Sequence, residues 1–166
     1  MTLQQVTGTL QQLIHFHTEL IDVAKEKQAG ILANDISIVS RCVLKETKLI
    51  KKINEVEEER TSALYSFLRE KGIQSQLNLN ITEMARLVFD PDDRQHLMDL
   101  KDELYDLLTS LKAVNAVNKE MVEQSLTFID YSMNLFTNHP EDHMVYHDPS
   151  KQKVEPVNRS YFDTRA

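Results

Sequence analysis

For its first 138 residues this chain gives a helix almost no reason to stop. Of four prolines only Pro91 lies in that stretch, and the three glycines are Gly8, Gly30 and Gly72. Proline removes a backbone donor and glycine costs backbone entropy, so a region poor in both forms long helices if its apolar residues fall on one face. With 166 residues, 41% of them hydrophobic, the chain is large enough to bury one core.

The apolar residues do keep helical spacing. Leu3, Val6, Leu10, Leu13, His17, Leu20 and Ala24 recur at intervals of three and four, the seam of a helix packed along another, which predicts a first helix over about 3–33. Asn34-Asp35 then offers a turn, with Asp35 as a cap. Ile36, Val39, Val43, Glu46, Ile50, Ile53, Glu57, Arg60, Leu64 and Phe67 predict the seam of a second helix over 36–71, antiparallel to the first and ended by Gly72. Residues 73–80 read as a polar connector, and Asn80 with Glu83 as a capping box for a short helix in ITEMARLVF. Asp90-Pro91-Asp92-Asp93 starts a last helix that runs to Pro140, roughly 70 Å at about 1.5 Å per residue. The expected fold is all-α: an elongated antiparallel bundle of three long helices and one short connecting helix, with coiled-coil-like packing. Residues 1–138 form the bundle, and 139–166, polar and proline-containing, form a tail expected to be mobile.

Along the last helix, Leu97, Leu100, Leu104, Leu107, Leu111 and Val114 make a narrow stripe, but from Met121 the apolar arc widens. Met121, Phe128 and Leu135 continue the old seam, while Val122, Leu126, Ile129, Met133 and Phe136 make a second. Such a face awaits a partner helix, a second copy of the chain or a cover from within the chain, and methionines suit an adaptable surface. Asn118 falls on the seam, where a buried polar residue costs stability but fixes register. Asn115, one turn back, lies on its flank.

Several chemistries are disfavoured. A net charge of -7 and a pI near 5.3 do not suit nucleic acid, which needs clustered Lys and Arg. Cys42 is the only cysteine, so no intrachain disulfide forms and a reducing, cytoplasmic setting is expected. No run of 18 apolar residues suggests membrane insertion. His139, His143 and His147 are spaced four apart between prolines and read as solvated rather than as metal ligands. No catalytic constellation, phosphate loop or cofactor motif is present, so the chain reads as a non-enzyme.

The segment LKAVNAVNKEMVEQSLTFIDYSMNLF resembles the Asn-x-x-Asn helix of FlgN-type flagellar export chaperones. AKEKQAGILANDISIV is similar to the turn between their first two helices, and EVEEERTSAL to the charged segment late in the second. The resemblance implies a cytoplasmic chaperone for the hook-filament junction proteins FlgK and FlgL. Their C-terminal amphipathic segments would bind the wide face of the last helix, at Asn115, Asn118, Met121, Val122, Leu126, Ile129, Met133 and Phe136. It further implies delivery to the export gate protein FlhA. Met144-Val145-Tyr146 resembles the docking segment, with Tyr146 as its contact, although the Gly that usually follows that Tyr is His147 here. The rival expectation is a structural coiled-coil protein whose wide face makes a permanent homodimer.

Overall fold

The computed structural model describes residues 2–74 and 79–137. Its elements are α1 (Thr2–Leu32), α2 (Ile36–Glu70), α3 (Ile81–Ala85) and α4 (Pro91–Thr137). Over the described residues the fold is all-α, with three long helices and one short one, as the spacing predicts. The chain divides into two compact units, Met1–Thr127 and Phe128–Ala166.

In the first unit α1 and α2 form an antiparallel hairpin. Asn34 takes a left-handed conformation (φ 54°), and the carboxylate of Asp35 caps α2 by accepting from the backbone N–H of Ser37 (2.9 Å) and Ile38 (3.2 Å). Here the helices approach so closely that a Cβ on Gly30 would lie 2.7 Å from Ile38 Cγ2. Ion pairs cross the same stretch: Glu26 with Arg41 (2.8 Å) and Lys45 (2.9 Å), and Lys27 with Glu46 (2.7 Å). At the far end of α2, Gly72 has φ +76°, Ile73 N–H bonds back to Leu68 and Gly72 N–H to Arg69, the Schellman closure that a left-handed glycine permits.

Asn80 and Glu83 form the reciprocal capping box at the start of α3. Met84, Ala85 and Val88 are buried behind it. Asp90 then caps α4, accepting from Asp92 N–H (2.8 Å) and Asp93 N–H (3.1 Å), with Pro91 at the first helical position, where its missing donor costs nothing.

Two apolar clusters form the core. One joins Val6, Leu10 and Leu13 of α1, Val56, Ala63, Leu64, Phe67 and Leu68 of α2, the α3 segment, and Leu97, Leu100 and Leu104 of α4. The other joins Leu20, Ile21, Val23 and Ala24 to Cys42, Leu49 and Leu111. The α1 seam is the one its spacing predicts, except that Leu3 is only half-buried. On α2 the expected seam is displaced by one position over its first half: Cys42, Leu49, Val56 and Ala63, seven apart, are buried, whereas Ile36, Val43 and Ile50 are exposed. Two apolar stripes run side by side on this helix, and the one carrying small residues goes inward. Close backbone approach selects it, since α1 and α2 pack against each other with Cα atoms within 8 Å.

In the second unit the described residues are the end of α4, through Thr137. Ser132 is half-buried and the others are exposed.

Candidate partner-binding groove

Within the first unit a groove of about 500 Å³ opens among the three long helices. Leu20, Lys27 and Ile31 line it from α1; Val39, Val43, Glu46 and Ile50 from α2; and Asn115, Asn118, Lys119, Val122 and Glu123 from α4. Leu97, Leu104 and Leu111 of α4 are buried against the other helices, as is Asn118, whereas Val122, one turn beyond, stays exposed at the groove.

The walls are apolar and the rim charges are largely engaged with one another. Lys27 and Glu46 pair at 2.7 Å with side chains only 18% and 15% exposed, and Lys119 reaches Glu123 at 3.8 Å in solvent. Behind the groove, hydrogen bonds from Lys45 and then Arg41 hold the Glu26 carboxyl below its ordinary value. Burial pushes the Cys42 thiol up, away from the thiolate a nucleophile needs. His17, on the core seam, donates from Nδ1 to the Leu13 carbonyl (2.7 Å). Among the described residues no three His, Cys, Asp or Glu side chains are placed to hold a metal ion; His139, His143 and His147 lie outside those residues.

Asn118, Asn115 and Val122 come together in this groove. Asn118 is buried at 3% exposure, and its Nδ2 donates to the Ala24 carbonyl at 2.9 Å, tying α4 to α1 in one register. Asn115 is exposed at the groove's edge. Met121 is half-buried and Leu126 exposed, and neither lines the groove. Ile129, Met133 and Phe136 belong to the second unit and are exposed, Phe136 at 85%. Tyr146 lies outside the described residues. Sequence reasoning misses the opposite wall: helical spacing assigns Val39, Val43 and Ile50 to the core seam of α2 and gives Ile31 no role. The available signal was the second stripe on α2, Cys42, Leu49, Val56 and Ala63, which leaves the first unpartnered.

The described residues thus form an all-α bundle with an apolar groove among its three long helices. The family model for FlgN protein matches residues 1–153, and the chain belongs to the FlgN family of flagellar export chaperones. It is 24% identical over 167 residues, covering both chains fully, to a protein of Bacillus subtilis (strain 168) named "Uncharacterized protein YvyG". No solved structure matches the chain. No described helix is long and apolar enough to cross a membrane.

Proposed function

We propose that this flagellar export chaperone acts in the cytoplasm, binds the C-terminal amphipathic segments of the hook-associated proteins FlgK and FlgL, and hands them to the export gate. The observation that carries the reading is the groove itself, with apolar walls from three helices and Asn115 and Val122 at its α4 side. An amphipathic helix lays its apolar face into such a groove, and a few buried anchors supply most of the affinity. The exposed apolar residues Leu126, in the same unit, and Ile129, Met133 and Phe136, in the other, are proposed as further client contacts from their helical spacing. The bundle ending near residue 138, a tail beyond it, and Tyr146 as the contact with FlhA belong to the same proposal.

Isothermal titration with C-terminal peptides of the cell's own FlgK and FlgL tests it. One-to-one saturable binding with a negative heat-capacity change is expected, and Leu126→Asp or Ile129→Asp abolishes it while far-UV circular dichroism stays the same. Absence of binding by both peptides, together with a dimer that persists at every dilution in sedimentation equilibrium, would favour the homodimer instead.

A further inference from the structure

The amide of Asn118 is only half satisfied. Nδ2 donates to the Ala24 carbonyl, but Oδ1, with less than 1 Å² exposed, has no hydrogen-bond partner. The orientation of the amide is fixed by chemistry, because the reverse orientation would set Oδ1 against the Ala24 carbonyl, acceptor against acceptor. Leu97, Leu104 and Leu111 occupy the equivalent positions at seven-residue intervals without any polar atom to satisfy. The orphan acceptor belongs to a residue that lines the groove, and the rim ammonium groups of Lys27 and Lys119 face carboxylates.

Resting on the reading of the groove as the client site, we propose that its occupant is an amphipathic helix whose apolar face carries one side-chain donor, from Ser, Thr, Asn or Gln, and that this donor binds Asn118 Oδ1. Backbone N–H groups within a helix are spent on its own carbonyls, so a side chain must supply the donor. Because Oδ1 is shielded in the free chain, the proposal requires the seated helix to part the side chains around it. A purely apolar face would bury the acceptor deeper and leave it unpaired, so Asn118 discriminates between helices of equal hydrophobicity.

The test replaces each polar residue on the apolar face of the FlgK C-terminal peptide by Ala in turn and titrates each peptide into the full chain and into Asn118→Ala. One replacement should weaken binding to the native chain about tenfold and change affinity for Asn118→Ala less than twofold. If the parent peptide binds but no replacement weakens it, or if the loss is the same in Asn118→Ala, this proposal falls and the client reading stands. If the parent peptide does not bind, both fall. Should Asn118→Ala fail to unfold cooperatively, carbon-13 labelling of the native chain decides: the Asn118 side-chain carbonyl resonance should shift with the parent peptide and not with the weakened one, and no shift with the parent overturns the proposal.

Discussion

The two ends of the first unit are built on the same seven-residue repeat and finish differently. Around Leu97–Leu104 the interval between α4 and the hairpin is filled by leucines, and α3 with Met84, Ala85 and Val88 closes the end. Around Asn118 the repeat continues, but a polar residue replaces the leucine, no short helix among the described residues covers the end, and Val43, Ile50 and Val122 are exposed in a groove. Burial of apolar area stabilises the first end, and the same area left open at the second is free energy available to a partner. A chaperone needs both, since a bundle sealed along its whole length would have nothing to hold a client with.

The sharpest way to break this comparison is to truncate equivalent side chains at each end. Leu97 is fully buried, so Leu97→Ala should cost about 2–5 kcal/mol in denaturant unfolding, whereas Val43→Ala should change stability by less than about 0.5 kcal/mol. Equal losses would mean that the groove residues are core. Next comes binding: Val43→Asp and Val122→Asp each place a charge in the apolar wall and should weaken client-peptide binding by about thirtyfold or more, with the melting temperature preserved. Unchanged affinity in both would move the client off the groove.

Much of the sealed end, and the α1–α2 turn at the open one, is legible in the sequence because the signals are local. Asp35, Gly72, Asn80 with Glu83, and Asp90 each act on backbone groups within a few residues, and each performs the capping or turn role its type predicts. The α4 repeat is legible for a similar reason: one narrow stripe leaves a single face to bury, and Asn118 interrupts it visibly. On α2 two stripes compete, and periodicity cannot rank them. The decision rests on a tertiary fact, the close approach of α1, which favours Cys42 and Ala63 over Ile36 and Val43. The groove wall was therefore hidden among residues that read as core, because an apolar residue awaiting a partner has the same composition as one already buried.

That close approach is itself testable with a smaller expected effect. Gly30→Ala sets a methyl against Ile38, a β-branched side chain whose Cβ is also only 3.1 Å away, so relief requires the helices to separate. A loss of about 1–3 kcal/mol is expected, accompanied by weaker peptide binding, because the groove walls Ile31 and Val39 flank the contact. Gly8→Ala, which meets nothing within 4 Å, is the control and should be neutral or slightly stabilising.

The smallest expected effect concerns acid. Hydrogen bonds from Lys45 and Arg41 lower the pKa of Glu26 from its ordinary 4.5, and bonds from Ser37, chiefly its hydroxyl, and from Ile38 lower that of Asp35 from 3.8. A carboxyl whose folded value lies below its unfolded value binds fewer protons when folded, so its contribution is fully present above the unfolded value and is lost as pH falls through the folded one. Both groups sit at the α1–α2 turn, beside the groove. At the sealed end Glu70, lowered chiefly by the hydroxyl of Thr2, loses its contribution in the same direction. Melting temperature should therefore fall from pH 6 to pH 3 in the native chain and fall less steeply in the Glu26→Gln, Asp35→Asn double variant, since Asn keeps a capping oxygen without titrating. Hydrogen exchange at pH 3 should show the turn end opening before α3. Parallel slopes in the two proteins would assign the acid sensitivity to Glu70 and the sealed end instead.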